Sequence, residues 1–181
     1  MIEIRLHGRG GQGGVTSAEL LARAAIADGK FAQAFPSFGP ERRGAPVMAF
    51  VRVDDKKIRL REKVSSPDVV LVLDPTLLDI VNVAEGLKEG GTVVVNTGMA
   101  PEELKKKYGW PKAACVDANK VAMEELGVPI TNTTMLGALL KATGIVEVEQ
   151  MEEVIQDRFG AKLGPKNYKA LKRAHGETRA A

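Results

Sequence analysis

The stretch HGRGGQGG, residues 7–14, decides the fold because it places a glycine-rich turn directly after the alternating residues MIEIRL. From Gly8 to Gly13 it satisfies the pattern G-x-G-x-x-G letter for letter. Glycine tolerates positive φ angles and has no Cβ atom, so the backbone at such a turn can close tightly on a phosphate. The sequence predicts a strand over residues 2–6 and, from the helical spacing of the apolar residues that follow, a helix over about residues 12–28.

Strands and helices continue to alternate up to about residue 117. The apolar and alternating runs predict strands at 31–35, 47–53, 69–74, 92–97 and 113–116, and helices at about 76–88 and 101–108. The run at 58–61 is predicted to pair with 47–53 as a hairpin, which would make the sheet mixed. From about residue 118 the pattern is helical only. We therefore predict an α/β fold, a Rossmann-like three-layer sandwich with a mixed, mostly parallel sheet and C-terminal helices, in a single domain over residues 1–181.

The composition narrows the classes of partner. The chain has 181 residues, of which 44% are hydrophobic and 27% charged, as is typical of a folded globular protein. Its formal net charge of +3 is small for a dedicated nucleic-acid binder. No apolar run approaches the roughly 20 residues that a membrane span needs. Neither a nucleic acid nor a membrane is therefore predicted as a partner.

Metal-ligating and nucleophilic residues are scarce. Cys115 is the only cysteine, and His7 and His175 are the only histidines. Iron–sulfur clusters held by cysteines and zinc sites therefore cannot be built from this chain alone, and no histidine-based catalytic triad can be assembled. We predict no catalytic residue and no metal ligand, and we expect a cytoplasmic location because scarce cysteine fits a reducing compartment.

The glycine turn has three possible interpretations. A nicotinamide dinucleotide site needs an acidic residue about 20 residues later, at the end of the second strand. That strand ends in Gln33, Ala34 and Phe35, with no acid among them, so the sequence disfavours NAD(P). Two interpretations stay open: the glycines serve only tight packing of strand and helix, or the turn receives an anionic group of another ligand. In the second case the binding residues would be Arg9, Gly10, Gly11, Gln12 and Gly13.

A second segment, QAFPSFGPERRGAP at residues 33–46, is predicted to leave the same end of the sheet as the glycine turn. Ligands of such sheets bind beyond the carboxyl ends of the strands. Phe35 and Phe38 could stack on a planar ring or on a partner, and Arg42 and Arg43 could bind phosphate or carboxylate through paired hydrogen bonds. The alternative is a solvated loop in which Glu41 pairs with an arginine of its own segment.

Polar residues at three further places are interpreted as helix caps. In TNTTMLGA, residues 131–138, Asn132 or Thr133 is predicted to cap a helix that continues to about residue 143. Asp74 and Asp117 stand at the ends of predicted strands, and we prefer capping for both because no base or second carboxylate is recognisable beside them. Gly137 suggests that its helix packs closely against another element.

Taken together in this order, GRGGQGG, QAFPSFGPERRGAP and NTTMLGA resemble the gamma subunit of the 2-oxoacid:ferredoxin oxidoreductases, in particular of the pyruvate and 2-oxoisovalerate branch. The resemblance covers essentially the whole chain. It implies a subunit of a complex that oxidatively decarboxylates a 2-oxoacid, with pyruvate the first choice, to acyl-CoA and CO2 while reducing ferredoxin. It also implies that the alpha and beta subunits hold thiamine diphosphate, that the beta and delta subunits hold [4Fe-4S] clusters, and that the gamma subunit handles coenzyme A.

The residues agree with that division of labour. No Gly-Asp-Gly of a thiamine diphosphate signature occurs in the chain. With coenzyme A as the anionic ligand, the expected contacts are Arg9, Gly10, Gly11, Gln12 and Gly13 in the turn and Arg42 and Arg43 in the second segment. The alternative is a stand-alone nucleotide-binding protein with a Rossmann-like fold, which the acid-free second strand disfavours.

Overall fold

The structure, a computed structural model, describes residues 1–37 and 42–181. The strands are β1 (Ile2–Arg9), β2 (Phe31–Pro36), β3 (Pro46–Asp54), β4 (Val69–Val72), β5 (Thr92–Asn96), β6 (Lys112–Val116) and β7 (Arg179–Ala180). The helices are α1 (Gly14–Ala27), α2 (Pro101–Tyr108), α3 (Ala118–Leu126), α4 (Asn132–Thr143) and α5 (Gln150–Glu177), with a 3₁₀ turn at Pro75–Asp79. None of the helices in the described part is long and apolar enough to cross a membrane.

The strands form one sheet in the order β2-β3-β1-β4-β5-β6-β7. β1, β4, β5 and β6 run parallel to one another, whereas β3 is antiparallel to both β1 and β2 and β7 is antiparallel to β6. The predicted mixed, mostly parallel sheet is therefore confirmed.

Helices and loops cover both faces of the sheet because successive strand residues point to opposite sides. In β4, Leu71 packs with residues of α1, α4 and α5, including Leu21, Leu136 and Ile155. Its neighbours Val70 and Val72 instead pack with Leu104 of α2 and with Trp110. Each fully buried Val or Leu contributes about 1.5–3 kcal/mol, so both clusters hold the layers together.

The predicted hairpin between 47–53 and 58–61 is wrong. Both edges of β3 are already occupied, by Ile2–Arg9 on one side and Phe31–Pro36 on the other. A strand can pair with only one neighbour on each edge, so residues 58–61 have no edge of β3 available. They form no strand.

The predicted helix at 76–88 is also wrong, since only the 3₁₀ turn Pro75–Asp79 forms there. The rest of the segment follows an irregular path over the sheet and buries Val83 against it. Gly86 has a φ of 72°, and a Cβ atom on it would lie 2.2 Å from the carbonyl oxygen of Ser65. This close approach of two backbones fixes a path that no helix could follow.

The C-terminal part is not purely helical. After α5 the chain returns to the sheet as β7, where Ala113 and Ala181 exchange backbone hydrogen bonds of 2.9 Å. This pairing covers the edge of β6, which would otherwise expose unpaired backbone groups. Gly160, with φ 76° and ψ 178°, interrupts α5 with a kink.

Candidate functional site

The glycine turn lies at the carboxyl end of β1 and leads into α1. Gly11 and Gly13 have φ angles of 89° and 79°, and Gly13 is the residue that precedes the helix. A Cβ atom on Gly13 would lie 2.6 Å from Nδ2 of Asn132. Two demands therefore require glycine at this position, the left-handed backbone and the contact with α4. The packing interpretation is confirmed here.

Gly10 joins the turn to the segment that contains the arginine pair. Its N–H donates to the carbonyl of Ala45 at 2.9 Å, and its own carbonyl accepts from the N–H of Gly44 at 3.1 Å. A Cβ atom on Gly10 would lie 2.3 Å from the carbonyl oxygen of Arg42. The amide of Gly10, expected to face a ligand, is thus used to hold residues 42–45 against the turn.

Arg42 and Arg43 are exposed beside the glycine turn, so the predicted juxtaposition of the two segments is confirmed. A Cβ atom on Gly11 would lie 3.8 Å from Cγ of Arg43, which places the stem of that arginine along the turn. Phe38 and Glu41, to which we assigned stacking and ion pairing, lie outside the described residues.

Phe35 is not a free stacking surface next to the turn. It is half-buried in the sheet, its ring centroid is 5.3 Å from that of Phe50, and the guanidinium of Arg52 lies 5.6 Å from its centroid. Its role among the described residues is to pack the β2–β3 part of the sheet.

Arg9 is tied to the protein by all the nitrogens of its guanidinium. Nε donates to Oδ2 of Asp74 at 3.1 Å, Nη1 donates to the carbonyl of Gly44 at 3.0 Å, and Nη2 donates to Oγ1 of Thr76 at 2.8 Å. Gln12 contributes to the same cluster, since its Nε2 donates to Asp74 at 2.9 Å and its Oε1 accepts from the Arg9 N–H at 2.7 Å. Arg9 and Gln12 therefore shape the turn.

Asp74 is the centre of this cluster. Burial works to raise the pKa of Asp74, but hydrogen bonds from Thr76 and Gln12 and the nearby charge of Arg9 outweigh burial and hold that pKa below its ordinary value. The predicted capping role is confirmed as well, because the side chain of Asp74 accepts from the Thr76 N–H at 2.9 Å. Sequence reasoning missed its additional role as the anchor of Arg9 and Gln12.

The predicted cap at Asp117 is confirmed, and the one at Asn132 or Thr133 is wrong. Asp117 accepts from the Lys120 N–H at 3.0 Å. Helix α4 instead begins after Thr131, and no side chain of the described residues caps it. Asn132 is 5% exposed with an unpartnered Oδ1 in the described part of the chain, and Thr133 donates from Oγ1 to Oδ1 of Asn167 at 2.6 Å.

The amino ends of α1 and α4 border a cavity of about 380 Å³ at the carboxyl ends of β4 and β5. Gly11 and Gly13 line it from one side and Asn132 lines it from another. Helix amino ends present free N–H groups and a positive dipole end, so the cavity favours a negatively charged group. The charge of Asp74, which also lines it, is balanced by Arg9.

The order of the strands distinguishes this glycine turn from that of a dinucleotide site. The strand that follows α1 is β2, but β3 lies between β2 and β1. The end of β2 is therefore one strand further from the glycine turn than a ribose-binding strand should be, and its last residues, Phe35 and Pro36, carry no acid. Within residues 1–37 and 42–181, no group of three or more His, Cys, Asp and Glu side chains could hold a metal ion.

The chain is similar to known proteins over almost its whole length. The family described as pyruvate ferredoxin/flavodoxin oxidoreductase matches residues 3–177. The chain is 59% identical to the pyruvate/ketoisovalerate oxidoreductases common subunit gamma of Thermococcus litoralis, covering 98% of this chain and 97% of that protein. It is 56% identical to the pyruvate synthase subunit PorC of Methanocaldococcus jannaschii, again over 98% and 97% of the two chains.

A solved structure confirms the fold class. The crystal structure of the pyruvate oxidoreductase subunit PORC of Thermotoga maritima superposes with a TM-score of 0.88 at 42% identity. The match covers 99% of this chain and 98% of that one.

Proposed function

The chain belongs to the pyruvate ferredoxin/flavodoxin oxidoreductase family, and we propose that it is the gamma subunit of a complex that oxidatively decarboxylates a 2-oxoacid, with pyruvate the first choice. The complex converts the 2-oxoacid and coenzyme A into acyl-CoA and CO2, and the electrons released reduce ferredoxin. The observation that carries this proposal is the full-length identity of 59% with a protein named as a gamma subunit of such enzymes.

The chemical steps belong to partner subunits in this proposal. Cys115 is fully buried, and burial raises the pKa of its thiol, so it is a poor nucleophile. His7 and His175 lie in different parts of the fold, on β1 and α5. Thiamine diphosphate is assigned to the alpha and beta subunits and the [4Fe-4S] clusters to the beta and delta subunits. The scarcity of cysteine supports a cytoplasmic complex.

The role of this subunit toward coenzyme A is assigned to the glycine turn and the arginine pair. The N–H groups of Gly11 and Gly13 at the start of α1 would bind one phosphate group of the ligand. Arg42 and Arg43, exposed beside the turn, would bind another. Arg9, Gly10 and Gln12 would act through the shape of the turn, because their polar groups already bond within the protein.

Reconstitution from separate subunits tests the proposal. Pyruvate-dependent and coenzyme A-dependent reduction of ferredoxin should require this chain together with its partners, and the chain alone should reduce nothing. Complexes assembled with and without this chain provide the direct comparison. Full activity without the chain, or activity from the chain by itself, would contradict the proposal.

A further inference from the structure

Arg5 and His7 lie on the opposite side of β1 from the apolar residues Ile4 and Leu6. Ile4 and Leu6 enter the main core, so the alternation of the strand directs Arg5 and His7 to the other face. Each is only 7% exposed. A buried arginine requires explanation, because removing a charge from water is costly unless the charge is paired.

The described partners of Arg5 are all neutral. Its Nε donates to Nε2 of His7 at 3.0 Å, and its Nη2 donates to the backbone carbonyls of Val83 and Glu85. Burial lowers the pKa of Arg5, and the charge of the Glu85 side chain opposes that shift. The Glu85 side chain is exposed and forms no ion pair with Arg5 within the described residues, so its charge only partly offsets the burial of the cation.

The hydrogen bond from Arg5 also fixes the state of His7. An imidazole nitrogen that accepts a hydrogen bond carries no proton, so the proton of neutral His7 is on Nδ1. Burial, and then the charge of Arg5, lower the pKa of His7 to about 4, which keeps the ring neutral near pH 7. Nδ1 of His7 and Nη1 of Arg5 are the nitrogens left without a hydrogen-bond partner in the described part of the chain.

Both residues line a cavity of about 550 Å³, a size that suits a small ligand. Its walls are mostly apolar and include Pro36, Met48 and Val81. Glu85 lies at its exposed edge, where its negative charge disfavours ligands with several negative charges. The cavity therefore combines two hydrogen-bond donors, one positive charge, apolar walls and a barrier to polyanions.

We propose that this cavity binds the carboxylate of a small monocarboxylic acid with an apolar chain, through Nη1 of Arg5 and Nδ1 of His7. The planar guanidinium matches the geometry of a carboxylate, and the ligand would supply a counter-ion in direct hydrogen-bonding contact with it. The apolar chain lies against Pro36, Met48 and Val81. This site is independent of the coenzyme A proposal, because it uses neither the glycine turn nor the arginine pair.

Nuclear magnetic resonance of the full chain with ¹⁵N-labelled histidine tests the proposal, since His7 and His175 give the only imidazole signals. Isobutyrate and 2-oxoisovalerate are the probes, and isobutyramide is the matched neutral control. At constant pH, both acids should shift the His7 signals until saturation and leave His175 unchanged. Isobutyramide and inorganic phosphate should have little effect.

Variants locate the binding group. Arg5→Lys keeps the charge but loses the planar fork, so the dissociation constant for isobutyrate should rise about tenfold. Arg59→Gln, a change at an exposed arginine after β3, should bind like the wild type. The wild-type titration does not depend on how a variant folds. If the acids cause no saturable shift of His7, or shift His7 only as much as isobutyramide does, the proposal is overturned.

Discussion

Nε of Arg9 donates to Oδ2 of Asp74 across 3.1 Å and so joins the end of β1 to the residue that starts the 3₁₀ turn after β4. Asp74 also accepts a hydrogen bond from the side chain of Gln12, and Arg9 also donates one to the carbonyl of Gly44. One carboxylate thus holds three segments in place around the glycine turn. A single aspartate therefore controls the geometry of a turn that lies more than sixty positions away in the sequence.

Asp74→Asn should destabilise the protein, because the neutral amide cannot replace the charge-assisted contacts to Arg9 and Gln12. The expected loss in the free energy of unfolding is about 1.5–3 kcal/mol, measured by urea denaturation near pH 7. Asp117→Asn is the matched control, since its described contact is the single cap to Lys120. Equal losses in both variants would show that capping alone explains the contribution of Asp74 to stability.

The state of His7 predicts a specific dependence of stability on pH. The pKa of His7 is lowered in the folded protein from 6.5 to about 4, so between these values the unfolded chain binds the extra proton. The free energy of unfolding should therefore fall as the pH drops from about 6.5 to 4. The loss should be about 3 kcal/mol, since one pKa unit corresponds to about 1.4 kcal/mol.

The comparison with His7→Gln isolates this contribution. Glutamine can accept the hydrogen bond from Arg5 but does not titrate. The difference in the free energy of unfolding between the variant and the wild type should therefore change between pH 6.5 and 4. The pKa of His175 is also lowered, by burial and by Lys141. His175→Gln is therefore the second variant to measure. An unchanged pH profile in His7→Gln would contradict the predicted state of His7.

Gly13→Ala should be more harmful than an alanine at a glycine that faces open space. Both Gly13 and Gly144 have positive φ angles, 79° and 59°, but a Cβ atom on Gly13 meets Asn132 whereas one on Gly144 has no atom within 4 Å. Gly144→Ala should cost about 1–2 kcal/mol of backbone strain. Gly13→Ala should cost clearly more in the same urea denaturation experiment. Equal costs would mean that Asn132 moves aside without penalty.

The sequence predicted the parallel strands well because their signal is local. The run VVLV in β4 and the central VVV of β5 are continuously apolar, as is typical of strands buried on both faces. The hairpin at 58–61 could not be judged in the same way. Whether it formed depended on which strands occupied the edges of β3, and that is a property of the whole sheet.

The candidate site shows the same limit. The positions of the glycine turn and of the arginine segment, each directly after a predicted strand, indicated that the two lie at the same end of the sheet, and they do. The hydrogen bond from the Gly10 amide to the carbonyl of Ala45, however, depends on a contact between segments far apart in the chain. The role of Asp74 as anchor was missed for the same reason, although its place at the end of a strand was visible.

NAD(H) should bind weakly or not at all. The strand β3 separates β2 from β1, and β2 ends without an acid that could bind the ribose hydroxyls. Isothermal titration calorimetry of the full chain with NADH gives the answer directly. A dissociation constant in the low micromolar range would return the glycine turn to the dinucleotide role that its pattern first suggests.

Arg42→Ala and Arg43→Ala should each weaken the use of coenzyme A by the assembled complex. Both arginines are exposed next to the amino end of α1, where each can form charge-assisted hydrogen bonds worth about 1.5–3 kcal/mol to a phosphate. The Michaelis constant for coenzyme A should therefore rise about tenfold or more. Decarboxylation of the 2-oxoacid without coenzyme A should change little, because that step is assigned to other subunits. Steady-state kinetics and a single-turnover decarboxylation assay separate the two effects.

Arg59→Ala is the matched control for this pair. It removes an exposed arginine from the segment that lines a cavity with Gln33, Ala34 and Phe35 of β2, two strands away from β1 and its glycine turn. Its Michaelis constant for coenzyme A should equal that of the wild type, which would exclude a general effect of lost positive charge. The decisive comparison is the integrity of the complex in the Arg42 and Arg43 variants, measured by size-exclusion chromatography. If the complex dissociates while the intact fraction binds coenzyme A normally, the arginines hold subunits together and the ligand assignment is wrong.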